Sequence, residues 1–196
     1  MAHARMQEGM VHIINALNRL SGAERAMLRV ASKQKLRPLT IISLDRCDSG
    51  HHLIKELPDD VEVHTLEGPC GVFGQIFRLI VLLSKYPDTT IVCWMYRSNI
   101  AGALIKFLNP GHRLIWNVRH SLAHLHSEPP RVRASILLNK ILARYPSLIF
   151  YNSNRSRHEH EYYGFPPSKS VYIPNGFSST TRPSHRLSKG KSETFV

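Results

Sequence analysis

The stretch Val11-His12-Ile13-Ile14-Asn15-Ala16-Leu17-Asn18-Arg19-Leu20-Ser21-Gly22-Ala23-Glu24-Arg25-Ala26 decides the fold. Its first seven residues are a short apolar run of strand character. From Ala23 to Lys33 the chain is rich in good helix formers. The turn between them, Leu20 to Ala26, is small and polar. A turn of this kind between strand and helix presents backbone N–H groups and the positive end of a helix dipole, a geometry that suits phosphate or another anion.

The same alternation continues downstream. Strands are expected at 38–44, 61–66, 90–94, 113–118, 148–151 and 171–173, and helices at 51–57, 72–86, 98–108, 131–145 and 153–163. Val61 to Leu66 alternates apolar and polar residues as a half-exposed edge strand does. Helix 72–86 is apolar nearly all round and reads as buried. On helix 131–145, Val132, Ile136, Leu137, Ile141 and Leu142 form one apolar side. Ala101, Gly102 and Ala103 allow close helix packing, Gly164 stops helix 153–163, and Trp94, Trp116 and Phe150 belong to the core.

Short unbroken apolar strands alternating with helices predict a Rossmann-like, doubly wound α/β domain, its mostly parallel sheet covered on both faces. Ligands in such sheets sit at the carboxyl ends of the strands. That rim gathers Arg19 to Glu24, Trp94 to Asn99, Arg119 to His126 and Asn152 to Arg157.

Length and composition set the class. With 196 residues, 42% hydrophobic and 20% charged, the chain suits one globular domain. The expected division is a lead-in over 1–10, the domain over 11–180, and a tail or inter-domain linker over 181–196. No apolar run reaches the roughly 18 residues of a membrane span, and the first residues lack a signal-peptide core. Cys47, Cys70 and Cys93 are odd in number and far apart. Reduced thiols in a cytoplasmic protein are expected, with peripheral association at the inner face of a membrane as an extension of that placement.

The net charge is +12, and it is unevenly spread. Between Arg97 and Arg157 stand ten Lys/Arg and one acid, Glu128. Such a field favours an anionic partner. Arg131, Arg133, Lys140 and Arg144 suit an anionic membrane surface. A nucleic-acid partner is not expected, because no recognition motif and no interleaved aromatics accompany the charge.

Four segments, in order, carry a resemblance. Asn18-Arg19-Leu20-Ser21-Gly22-Ala23-Glu24-Arg25 resembles a GGAER turn. Trp94-Met95-Tyr96-Arg97-Ser98-Asn99-Ile100-Ala101-Gly102 resembles WMYHxNxxG. Asn117-Val118-Arg119-His120-Ser121 resembles a loop with an active-site histidine. Tyr151-Asn152-Ser153-Asn154, Tyr163-Gly164-Phe165-Pro166, Lys169 and Ile173-Pro174-Asn175-Gly176 resemble a closing SN–GYP–K–IPNG series. Together they resemble the N-terminal domain of family 4 glycosyltransferases, retaining enzymes of two Rossmann-like domains (the GT-B architecture), over roughly Val11 to Phe177. Two departures stand out: Ser21 replaces the first glycine of the pair, and no second domain with its E-x7-E motif follows Asn175-Gly176.

The resemblance implies a sugar transfer from a nucleotide-sugar donor to a glycan or lipid-linked acceptor, as in polysaccharide biosynthesis. The chain then reads as the acceptor-side half, truncated or split, inactive alone and needing a separate C-terminal domain as partner. By the same resemblance Ser21, Gly22 and Ala23 approach the donor phosphates, and His120 is the catalytic-site histidine that positions the sugar or acceptor hydroxyl. Arg97, Asn99 and Arg119 belong to the acceptor side, the two arginines as a phosphate clamp. Asn175 and Gly176 shape the hinge. His120, His124 and His126 have a spacing open to zinc, but the loop offers no rigid scaffold and the family needs no metal. No metal and no cofactor are therefore expected. The alternative is a non-catalytic basic module that binds an acceptor, an anionic membrane or a partner subunit.

Overall fold

The computed structural model describes residues 9–18, 21–47, 52–68, 71–87 and 89–176. The expected tail over 181–196, most of the lead-in, and Arg19 and Leu20 of the first turn lie outside these residues. Seven strands alternate with helices: β1 (Met10–Ile14), α1 (Gly22–Lys33), β2 (Leu39–Ser43), α2 (His52–Lys55), β3 (Val61–Thr65), α3 (Gly71–Leu83) and β4 (Thr90–Trp94). Then come α4 (Tyr96–Leu108), β5 (Arg113–Val118), a 3-10 turn at Leu125–Ser127, α5 (Pro130–Leu142), β6 (Leu148–Tyr151), α6 (Asn154–Tyr163) and β7 (Ser170–Tyr172).

The sheet order is β3-β2-β1-β4-β5-β6-β7, and every pairing is parallel. Chain order reverses between β1 and β4, so the crevice of this doubly wound sheet opens at their carboxyl ends. β3 is an edge strand, as its alternating pattern predicts. Strand pleating sends successive side chains to opposite faces. Val11, Ile13, Ile91, Cys93, Leu114 and Trp116 therefore meet Leu79, Ala103 and Ile136 of α3, α4 and α5. Ile14, Ile41, Val92 and Trp94 meet Met27, Leu28 and Ala31 of α1. Helices cover both faces.

Gly102 shows how closely α4 sits. A Cβ there would run into Cys93 Sγ and lie 2.9 Å from Leu114 Cδ1. We expect Gly102→Ala to destabilise the fold by about 1–3 kcal/mol despite alanine's better helix propensity, because overpacking in a filled core outweighs it. Urea midpoints of the two proteins check this; a gain in stability would refute it.

Several expectations are corrected. The first strand ends at Ile14 rather than Leu17; Leu17 instead forms an isolated parallel bridge with Cys47. α4 begins at Tyr96, two residues early. α3 is not buried: Leu79 and Leu83 face the core, but Phe73 is 88% exposed, and Phe77 and Val81 are also open. A helix on one face of a sheet has only one side to bury, whatever its composition. On α5, Val132, Ile136 and Leu142 pack inward, whereas Leu137 and Ile141 are exposed. Asn139, fully buried, occupies the inner register that those two residues were expected to share. Trp94 and Trp116 are core residues, and Phe150 is half-buried.

Candidate functional site

The carboxyl rim at the β1–β4 crevice is built by side chains that hold one turn after another. Asn15, just past β1, accepts hydrogen bonds through Oδ1 from the Ser98 amide (3.2 Å) and hydroxyl (2.9 Å). Asp45, just past β2, accepts from Arg97 Nη1 (2.5 Å) and Gln75 Nε2 (3.0 Å), tying α3 and α4 to the rim. The Arg97 guanidinium holds the Asp45 carboxyl below its ordinary range. Arg97 is thus already ion-paired, which leaves the expected two-arginine clamp with one arm engaged.

Asn99, expected on the acceptor side, is fully buried. With its amide turned so that the nitrogen faces the backbone, the orientation its surroundings favour, it donates to the Cys93 (3.3 Å) and Met95 (3.2 Å) carbonyls. Asn139 Nδ2 donates to the Tyr96 carbonyl at 3.0 Å. Both asparagines serve the backbone between β4 and α4. That backbone is strained: Met95 has φ 72° and ψ 170°, a region populated almost only by glycine. Left-handed backbone of this kind costs about 1–3 kcal/mol. We expect Met95→Gly to be more stable than Met95→Ala by about 1 kcal/mol, the reverse of the usual order at a helix. Thermal melts of the pair test it.

Arg119 follows β5. Its guanidinium carbon lies 5.9 Å from the Trp94 ring centroid, and Nη2 donates to Asn175 Oδ1. The guanidinium is half-buried, and desolvation pulls its pKa down. Among the described residues it meets no carboxylate, unlike Arg37, Arg46, Arg97, Arg155 and Arg157.

His120 comes next. Its Nε2 is 3.1 Å from Glu128 Oε1, a close approach without hydrogen-bond direction that leaves this buried nitrogen without a geometrically sound partner. The ring meets Tyr96 edge-on at 5.8 Å. The loop carrying it is clamped by α6. Ser156 Oγ donates to the His120 carbonyl (2.5 Å), and Glu159 Oε2 accepts from Ser121 Oγ (2.6 Å) and the Leu122 amide (2.8 Å). Against the opposing effect of burial, the Ser121 hydroxyl, Arg155 and the Leu122 amide hold the Glu159 carboxyl low.

Beneath the loop lies His160, fully buried. Its Nδ1 donates to the Ser156 carbonyl (2.7 Å), so Nε2 is left to accept from the Tyr96 hydroxyl (2.8 Å). Burial lowers its pKa to about 4. Under the other sheet face, His12 takes the opposite tautomer. The Trp94 indole N–H donates to Nδ1 (2.9 Å), so Nε2 donates to Gln34 Oε1 (3.0 Å). Burial sets His12 at about 4 as well.

At α1, Ser21 is the N-cap but makes no side-chain cap bond; its hydroxyl donates to the Glu24 carboxylate. Half a capping box is thereby satisfied between side chains instead of on the helix N–H groups. A Cβ on Gly22 would meet nothing within 4 Å, so the fold itself does not demand glycine there. Ala23 is buried, whereas Asn175 and Gly176 are exposed at the end of the described chain. His124 and His126 are exposed, and no three His, Cys, Asp or Glu side chains converge among the described residues.

The tertiary structure brings Arg119, His120 and Asn175 to one part of the rim. It adds Glu128 and Glu159, which sequence reasoning missed, and gives Ser156, within the expected rim, the part of holding the His120 loop. Glu128 carried a signal: it is the single acid in the most basic third of the chain. Asn139 carried another, as an asparagine at an inner register of an amphipathic helix. Glu159 carried none.

No family model and no curated protein sequence matches this chain. Solved structures do. The chain is similar to the Anabaena protein Alr3699/HepE crystallised with UDP, at TM-score 0.69 and 19% identity, over 86% of this chain and 44% of that one. It is similar to the UDP-GlcNAc 2-epimerase of Methanocaldococcus jannaschii, at TM-score 0.58 and 14% identity, over 85% and 45%. It is also similar to a glycosyltransferase from Rickettsia africae, at TM-score 0.57 and 16% identity, over 86% and 43%. The chain spans less than half the length of each of these proteins. What they share with it is the fold.

Proposed function

We propose that this chain is the acceptor-side half of a retaining glycosyltransferase of two Rossmann-like domains, moving a sugar from a nucleotide-sugar donor to a glycan or lipid-linked acceptor. The observation that carries this reading is Arg119. A half-buried guanidinium with no carboxylate beside it, on the rim of a doubly wound sheet and next to the expected hinge at Asn175, calls for an external anion. The four ordered motifs support the same reading. So does the likeness in fold to Anabaena HepE, crystallised with UDP, with UDP and glucose, and with UDP-glucose.

In this proposal Ser21, Gly22 and Ala23 face the donor diphosphate with backbone N–H groups, where the unoccupied space at the Gly22 α-carbon allows close approach. His120, fixed by Ser156 and Glu159 through its loop, positions the transferring sugar or the acceptor hydroxyl. Arg119 holds acceptor phosphate, and Asn175-Gly176 is the hinge to the donor-binding domain. Catalysis rests on holding two substrates in a closing cleft and on stabilising the leaving diphosphate with dipoles and cations. No metal or cofactor is assigned a part.

The test is sugar transfer and donor hydrolysis with a panel of nucleotide sugars, using the chain alone and with a supplied C-terminal donor-binding domain. The proposal expects activity only in the combined system, lowered in a His120→Ala variant. Acceptor binding without turnover in that system would replace it with the non-catalytic module.

A further inference from the structure

The exposed side of α5 differs from an ordinary solvated helix face. Opposite the buried Ile136 and Asn139 stand Leu137 (49% exposed), Leu138 and Ile141 (58% exposed). At helical spacing these three form one arc, with Arg133, Lys140 and Arg144 along one border and Arg131 on the other. Beyond the last turn the arc meets Tyr145, whose ring is packed edge-on by Phe107 of α4, itself 62% exposed. Arg144 lies 5.0 Å from the Tyr145 centroid and Lys140 5.0 Å from that of Tyr163, so both cationic heads are spread over aromatic surface. Neither α4 nor α5 contains a carboxylate. Among the described residues none of Arg131, Arg133, Lys140 and Arg144 is ion-paired.

We infer that this face seats the protein on an anionic lipid bilayer, with Leu137, Leu138, Ile141 and Phe107 entering the headgroup–acyl boundary and the four basic side chains meeting lipid phosphates. Charge complementarity selects this occupant. A second copy of the same face would set cation against cation. A nucleic acid would satisfy the border but gives the aliphatic centre nothing to enter, whereas a bilayer interface answers both. α5 follows the loop that carries Arg119 and His120, so a seated molecule holds that rim beside the membrane surface. The inference stands on the α5 face alone and does not depend on the proposed reaction.

The experiment is co-sedimentation of the full chain with vesicles of phosphatidylcholine alone and of phosphatidylcholine with about a third phosphatidylglycerol, at low and high salt. Binding is expected only to the anionic vesicles and is weakened by salt. Arg133→Gln and Lys140→Gln should each lower partitioning roughly fivefold, from about 1 kcal/mol per basic residue at an anionic surface. Ile141→Ser should lower it further without moving the thermal melt, because the side chain is exposed. Arg29→Gln and Lys33→Gln, exposed on α1 across the sheet, serve as controls of equal charge and should have a much smaller effect. Equal binding to neutral vesicles, or equal loss from the α1 controls, overturns the inference. So does an Ile141→Ser variant that binds as well as the parent, which would leave only diffuse attraction by the net charge. A concentration-dependent dimer abolished by Ile141→Ser, or salt-sensitive binding to single-stranded RNA without vesicle binding, would give the face to a different occupant.

Discussion

Lowering the pH from 6.5 to 4 is expected to remove much of the folding free energy of this protein. His12 and His160 are buried, and loss of water around the ring is what holds each neutral; the Trp94 N–H at His12 Nδ1 and the Ser156 carbonyl at His160 Nδ1 fix which tautomer is present. Their pKa values in the folded protein are near 4, against 6.5 for the unfolded chain. Between these values the unfolded chain binds protons that the folded protein refuses. The stabilisation is therefore complete above pH 6.5 and is lost as the pH falls through about 4. Each histidine accounts for about 3 kcal/mol over that window, from 1.36 kcal/mol per pKa unit. Together they give a slope of roughly 2.7 kcal/mol per pH unit midway, large beside the 5–15 kcal/mol typical of a domain. Below the histidine window, Asp45, Glu62 and Glu159, whose carboxyls are held low by hydrogen-bonded partners, add a further loss as they protonate. Urea midpoints measured from pH 7.5 to 4.5 test this, with His160→Gln expected to halve the slope. A flat profile would show that the buried network does not exclude the protons.

Arg119→Met should separate stability from function. The methionine keeps an unbranched stem against Trp94 and removes a half-buried charge whose desolvation no carboxylate offsets. Thermal stability is expected to hold or rise, since an uncompensated buried charge is costly. Affinity for a phosphate-bearing ligand should fall roughly 10- to 100-fold, the effect of losing a charge-assisted bidentate contact. Isothermal titration with UDP, and separately with a sugar 1-phosphate, would record both the size of the loss and the side of the cleft it belongs to. Arg119→Lys restores the charge without the planar fork and should recover only part. A variant that binds as tightly as the parent, or one that loses affinity only because it unfolds, would remove Arg119 from the site.

The rim was legible where strand ends announced it. Each strand that stops before a polar or basic residue marks a rim position, so Arg97, Arg119 and His120 were found from the sequence. Their states were not legible. Arg97 and Arg119 look alike in sequence, yet Asp45 sits beside one and Asn175 beside the other. Only the docking of the chain after β2 against the start of α4 makes that distinction. The same holds for α3 and α5, whose apolar composition says that some side is buried but not which residues remain outside.

By itself the sequence determined the alternation of strands and helices, the parallel doubly wound sheet, the approximate extent of each element and the basic middle of the chain. These follow from hydrophobic periodicity and turn chemistry, which act over a few neighbouring residues. The tertiary structure decided which cation is already paired, which histidines are sealed neutral, which asparagines serve only the backbone, and which apolar residues face outward. Those properties depend on groups far apart in the chain, such as Asp45 with Arg97 or Tyr96 with His160, whose meeting is set by packing.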